Sequence, residues 1–259
     1  MTDPHMAPPE VLREWELVEC LGEGGFATVW RAERRSDHEP KALKFLRAEH
    51  RGKLSLLNEW DALNKARHPN VVCAEEAGAN FLVMDLLEGP TLADEIRSEK
   101  LWPLAQTVEL VGQLCDALGA VHDAGLVHHD VNPNNVILAA RPMLVDFGCV
   151  TPIGHRHPNE DRHPQWLSPE ANQRQPASPT DDLWPLPLLA LAMLTGMSPV
   201  AGDPEEIWSE LLSYDGFDTP KDPNLPKGFG RWWRKATHPE PEKRYRTAES
   251  LKRSLLALA

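Results

Sequence analysis

No feature of this chain constrains it more than the stretch His128-His129-Asp130-Val131-Asn132-Pro133-Asn134-Asn135-Val136-Ile137-Leu138, followed by Leu144-Val145-Asp146-Phe147-Gly148. An apolar helical run leads into it. Asp130 and Asn135 are five residues apart, and Asp146 lies eleven further on. In an extended loop that folds back, this spacing can bring a carboxylate, an amide oxygen and a second carboxylate to one spot. Those groups are hard oxygen ligands plus a base, the set that a magnesium-bound nucleotide needs. A His-x-Asp-(four)-Asn string alone is common. With Asp-Phe-Gly following at this distance, the signal is specific.

Composition narrows the alternatives. At 259 residues the chain can bury an ample core, in one large domain or two lobes. A net charge of −12 argues against nucleic acid or an anionic membrane as partner, since both want a basic surface. Cys20, Cys73, Cys115 and Cys149 are scattered without a Cys-x-x-Cys pair, which reads as free thiols in a reducing compartment. With no apolar run of about 18 residues and no signal-peptide profile, a cytoplasmic location is expected. Residues 1–9 read as a disordered, proline-containing tail or a remnant around His5-Met6, which leaves residues 10–259 as the folded part.

Upstream of the loop, residues 15–20 alternate as a strand and enter Leu21-Gly22-Glu23-Gly24-Gly25-Phe26-Ala27-Thr28-Val29. Glycines between two strand-like runs suit a hairpin whose backbone approaches phosphate. Because a strand follows, the segment does not fit a Rossmann or Walker loop. Lys41-Ala42-Leu43-Lys44-Phe45-Leu46 reads as the next strand, and residues 48–66 as a helix with Leu56, Trp60 and Leu63 at helical spacing. Phe81-Leu82-Val83-Met84-Asp85-Leu86-Leu87-Glu88-Gly89 is an apolar strand opening into a short linker. The best helix covers residues 103–123, with Pro103 near its start and Gly125 just past its end. Pro185 and Pro187 are tolerable only in a first helical turn.

Taken in order, these motifs resemble the protein kinase superfamily, and within it the bacterial eukaryotic-like Ser/Thr kinases. The resemblance extends to Ser168-Pro169-Glu170, Thr180-Asp181-Asp182-Leu183-Trp184 and Arg244-Tyr245-Arg246-Thr247-Ala248, and it covers essentially the whole chain. It implies an α+β fold with two lobes: a small antiparallel sheet with one helix over residues 10–87, and a larger helical lobe over residues 88–259, with ATP in the cleft. By resemblance, Lys44 holds the phosphates and is oriented by Glu59, with Lys41 as its decoy neighbour. Asp130 accepts or orients the acceptor hydroxyl, and Asn135 and Asp146 hold Mg²⁺ or Mn²⁺. The residues implied to bind the nucleotide are Gly22, Gly24, Gly25, Val29, Ala42, Lys44, Glu59, Met84, Asp85, Leu87 and Asn135. Asp182 would hold the catalytic-loop backbone, and Arg244 would pair with Glu170.

The departures from the family pattern carry information. His129 stands where the family has an arginine that meets a phosphorylated activation loop, and Thr151 is the sole hydroxyl between Cys149 and Leu167. A phosphorylation switch in that loop is therefore not expected. Asn132 replaces a lysine that neutralises the γ-phosphate, and His163 replaces the threonine that touches both that lysine and the catalytic aspartate. Loss of a transition-state cation costs on the order of 10²–10³ in rate. His163 is expected beside Asp130 and Asn132, where His163 or His129, if protonated, would supply the charge. His155, His157, Asp161 and His163 could also be read as metal ligands, but loop histidines this close are more often solvated. Cys149 could line the nucleotide pocket.

Three readings follow. The first is an ATP-dependent Ser/Thr protein kinase with an atypical site, acting on a protein substrate as a monomer or weak dimer. The second is an ATP-binding pseudokinase that works as a scaffold. The third is a small-molecule phosphotransferase, because His-His-Asp-x-Asn-Pro-x-Asn is similar to the loop of aminoglycoside and choline kinases.

Overall fold

The computed structural model describes the whole chain except residues 1–6, 99, 157–163 and 198–201, and the side chains at 204 and 208. Two compact units result: residues 1–67 with 72–88, and residues 68–71 with 89–259.

In the first unit, α1 (Pro9–Glu14) precedes β1 (Trp15–Glu23), β2 (Ala27–Arg34) and β3 (Pro40–Leu46). Helix α2 (Leu57–Lys65), β4 (Ala74–Ala77) and β5 (Phe81–Asp85) complete the unit. The strands form one antiparallel sheet in the order β1-β2-β3-β5-β4. Side chains alternate across a strand, so register decides which residues share a face. Trp15, Ala32, Leu43 and Val83 bury against Val11 of α1 on one side. Pairing of Val29 with Lys44 and of Ala42 with Met84 puts those four residues together on the other.

The helix expected over residues 48–66 is shorter. Ala48–His50 form one 3₁₀ turn, Gly52 takes φ +76°, and α2 begins only at Leu57. A left-handed residue cannot sit inside a right-handed helix, so Gly52 separates the two pieces. Leu56 and Leu63 are nevertheless buried as the spacing predicts.

The second unit is mainly helical. Its elements are α3 (Leu92–Arg97), α4 (Leu104–Asp123), β6 (Leu126–Val127), β7 (Val136–Leu138), β8 (Pro142–Leu144), β9 (Thr151–Pro152), α5 (Pro169–Asn172), α6 (Pro179–Leu183), α7 (Pro185–Thr195), α8 (Pro204–Leu212), α9 (Phe229–Ala236) and α10 (Ala248–Leu256). Helix α4 buries Val108, Val111, Leu114, Leu118 and Val121 against α7 and α10. Its outer rim is tied to α10 by Lys252 Nζ donating to Asp116 Oδ2 at 2.6 Å. Helix α7 is apolar all round and buried from Pro185 to Leu194. Pro185 and Pro187 fall in its first turn, where backbone N–H groups have no intrahelical acceptor and the missing donor costs nothing. At Gly89, φ is +153° and a Cβ would collide with the carbonyl of Leu138, so only glycine fits where this residue meets the end of β7.

Candidate active site

Two groups of site residues are assembled, one in each unit. In the first unit, Lys44 Nζ donates to both carboxylate oxygens of Glu59, at 2.9 and 2.8 Å. Both side chains are buried, so the charges are desolvated but matched. Lys41 is equally buried but lies on the opposite face of β3. It pairs with Glu75, with Glu39 at 3.0 Å and with Asp85 at 3.1 Å. Burial works against the Lys41 charge, yet these carboxylates outweigh it and hold the ammonium pKa above its ordinary value. Period-2 alternation thus separates the two lysines, and Lys44 is the one beside Val29, Ala42 and Met84.

The β1–β2 turn is closed by Gly24 N donating to Ala27 O at 2.8 Å. None of Gly22, Gly24 and Gly25 takes a positive φ, and a Cβ at Gly22 or Gly25 would meet no atom within 4 Å. The chain's own packing therefore does not demand glycine there. An unobstructed backbone is what approach of a phosphate requires. Asp85 and Leu87 lie at the end of β5 and just beyond it.

In the second unit, the loop after β6 wraps around Asp130. Asn132 Nδ2 donates to Asp130 Oδ1 at 2.8 Å, and Asn135 Nδ2 donates to Oδ2 at 2.7 Å. The same two amides reach the Asp130 carbonyl at 3.1 and 2.9 Å. Asn132 Oδ1 in turn accepts from Asn134 N at 2.9 Å, capping the 3₁₀ turn Pro133–Asn135. Burial pushes the Asp130 carboxyl above the usual carboxylate range, with Asp146 adding to this while His128 and the two amides oppose it. Val145 N donates to Asn135 O at 3.0 Å, extending the β7–β8 pairing and bringing the start of Asp146-Phe147-Gly148 next to Asn135.

His129 and Asp146 both adopt positive φ, +65° and +60°. Non-glycine residues in this region store strain of about 1–3 kcal/mol each, which surrounding contacts must hold in place. For His129, that hold is Asp182. Its Oδ2 accepts from His128 N and its Oδ1 from His129 N, both at 2.8 Å. Asp182 is fully buried, which opposes its charge, but His122 and the neighbouring histidines keep its pKa below the ordinary value. The His128 ring meets Phe147 edge-on at 4.7 Å. Farther on, Glu170 accepts a bidentate pair from Arg244 at 2.9 Å each, and the guanidinium also stacks over Trp184 at 4.5 Å.

Two contributors were not singled out from sequence. His122, on the last turn of α4, bonds Asp182 Oδ2 through Nε2 at 2.9 Å. Its position six residues before His128 was the available signal, hidden by the otherwise structural character of α4. Asp181 accepts from Ser168 Oγ at 2.7 Å and Ser178 N at 2.9 Å, linking the start of α5 to the start of α6. His163, together with His157 and Asp161, lies outside the described residues. Among the described residues there is no group of three or more His, Cys, Asp or Glu side chains that could hold a metal by itself.

The donor set does fit a phosphate-bound divalent cation. Both amide hydrogens of Asn135 are committed to Asp130, leaving Oδ1 as its acceptor, and Asp146 supplies a carboxylate. Mg²⁺ is commonly held by one or two such oxygens, completed by water and substrate phosphates.

A model of the protein kinase domain matches residues 15–256. The chain belongs to the protein kinase domain family. Kinase domains of this family use ATP and a divalent cation. Among its relatives, calcium/calmodulin-dependent protein kinase type 1B of Rattus norvegicus is 29% identical over 252 residues, covering 92% of this chain and 73% of the relative. The probable serine/threonine-protein kinase CPE1738 of Clostridium perfringens is 27% identical over 253 residues, 92% of this chain but 37% of its own length. Serine/threonine-protein kinase PknB of Mycobacterium leprae is 27% identical over 270 residues, 96% of this chain and 43% of the relative. Among the described residues, no helix is long and apolar enough to cross a membrane.

Proposed function

We propose that this kinase domain transfers the γ-phosphoryl group of ATP to Ser/Thr hydroxyls of a protein substrate, in the cytoplasm, without a phosphorylation switch in its activation segment. The observation that carries the reading is the Asp130 carboxylate, held on both oxygens by Asn132 and Asn135. A buried carboxylate with a raised pKa, fixed in one orientation, suits a group that accepts or orients a hydroxyl proton. Lys44, oriented by Glu59, would hold the phosphates, and Asn135 and Asp146 would hold Mg²⁺ or Mn²⁺, which neutralises phosphate charge when bound. Gly22, Gly24 and Gly25 would cover the phosphates, Val29, Ala42 and Met84 would line adenine, and backbone groups of Asp85 and Leu87 would hydrogen-bond it.

Two features support activity without loop phosphorylation. His129 is already held by Asp182. The start of the activation segment is pinned by backbone bonds that need no phosphate: β9 pairs with β6, Gly154 N donates to Ala177 O at 2.8 Å, and Ala177 N donates to His155 O at 2.7 Å. A second reading, an ATP-binding pseudokinase, draws on Asn132, whose neutral amide occupies Asp130 Oδ1 where a cation would lower the barrier.

The test is ADP release and phosphate incorporation from Mg-ATP with a generic protein acceptor, beside an Asp130→Ala control. Phosphoprotein that disappears in the control supports the first reading. Nucleotide binding with no Asp130-dependent turnover on any acceptor favours the pseudokinase. Turnover confined to small hydroxylated acceptors would sink the protein-substrate assignment.

A further inference from the structure

Helix α9, Phe229–Ala236, divides its residues sharply. Trp232 and Trp233 are buried at 2% and 0% exposure, whereas Arg231, Arg234 and Lys235 are exposed. At spacings of three and four residues these cations share one helical face. Lys235 lies over the ring of Tyr245 at 4.5 Å, and exposed Arg246 follows that tyrosine directly.

In a chain of net charge −12, the cations next to this face in sequence or on the adjoining α10 find acids. Nearby, Lys243 pairs with Glu240, Arg244 with Glu170, Lys252 with Asp116 and Arg253 with Glu249. Arg231, Arg234, Lys235 and Arg246 make no ion pair with any described carboxylate; Arg234 donates only to Thr219 Oγ1, at 3.0 Å. The helix dipole accounts in part for Arg234 and Lys235, which fall in the last turn of α9. It does not account for Arg231, a turn earlier, or for Arg246, which is off the helix.

We infer that this face of α9, with Arg246, is a docking surface for an exposed acidic segment of a partner protein. Charge complementarity selects an anion. Two further features select a short polypeptide over nucleic acid. The α9 tryptophans point inward, so no aromatic on this helix is offered for base stacking. A long polyanion would also run off the patch onto an acidic body, whereas charges confined to the patch are screened from that body beyond a Debye length of about 8 Å at physiological salt.

Exposed charge contacts contribute modestly, up to about fivefold in affinity each. The experiment uses the full chain and fluorescence anisotropy of a short labelled peptide alternating glutamate and serine. It compares the parent with Arg231→Gln/Lys235→Gln/Arg246→Gln, which leaves the Arg234–Thr219 bond in place. Near-UV circular dichroism checks that the variant is folded, and Arg231→Lys/Arg246→Lys tests whether charge alone suffices. Expected results are saturable binding that weakens with salt, falls about tenfold or more in the glutamine variant, survives in the lysine variant, and is unchanged by Lys53→Gln, an exposed cation of the other unit. No saturable binding, or equal binding by the glutamine variant, overturns the inference. So does a single-stranded oligothymidylate that binds the same face more tightly than the peptide.

Discussion

Asp181→Asn should make this protein more stable at neutral pH. Asp181 is buried beside Asp182 and Glu170, and burial, reinforced by those two charges, pushes its carboxyl from 3.8 up to about 6. Because the folded pKa lies above the unfolded one, the folded state binds more protons between roughly pH 4 and pH 6. Stability from this group is therefore greatest below that window and is lost as pH rises through it. At 1.36 kcal/mol per pH unit, the ionised form costs about 3 kcal/mol at pH 7. Asparagine removes the charge and keeps one acceptor for Ser178 N. Its amide must then face Ser168 Oγ, which already accepts from Ala171 N and loses the acceptor for its own hydrogen, a rearrangement costing about 1 kcal/mol. The net expectation is a gain of roughly 2 kcal/mol at pH 7.5, shrinking to zero or below near pH 4.5. Urea unfolding followed by tryptophan fluorescence at several pH values measures it, and the difference between variant and parent cancels groups common to both. A difference that does not change between pH 4.5 and 7.5 would refute the argument.

Two other outcomes follow from the same geometry. Arg244→Met removes a guanidinium that holds Glu170, the carbonyls of His238 and Pro239 and the Trp184 face, and it strands a largely buried carboxylate. A loss of about 3–5 kcal/mol is expected in urea unfolding; a loss below about 1 kcal/mol would mean that the pair is solvated. Asn132→Lys restores a cation beside Asp130, so turnover should rise by about tenfold or more. The acidic limb of the pH–rate profile should move to lower pH, since the ammonium favours the ionised carboxylate whose pKa burial had raised. A profile that stays in place would show that Asp130 does not set that limb.

Much of the candidate site was legible because its spacing is local. Asp130, Asn132 and Asn135 sit within one short loop, so their convergence needs only that the loop turn back, which Pro133 and the Asn132 cap accomplish. The Lys44–Glu59 pair was legible through resemblance rather than spacing, and the helix carrying Glu59 was expected to be longer than it is, because a single left-handed glycine leaves little trace in an apolar pattern. His122 and Asp181 were not legible. His122 sits in α4, whose apolar face dominates the pattern, and Asp181 is masked by the motif residue Asp182 beside it; each acts on a group distant in sequence.

By itself the sequence determined the local matters. These are the alternation that builds the sheet, the prolines that open α7, the order of chemical groups along the chain, and an acidic balance unsuited to nucleic acid. Resemblance pointed to Lys44 over Lys41, but the physical cause lies in the tertiary structure, because cross-strand register and not composition sets which lysine faces Glu59. It also decided that Asp182 reaches His122, that Asp181 caps α6 from a buried position rather than in water, and that the α9 cations make no ion pair with a described carboxylate. In each case the outcome depends on what is left after burial removes water. A charge then keeps, shifts or loses its proton according to the partners that packing brings within hydrogen-bond reach.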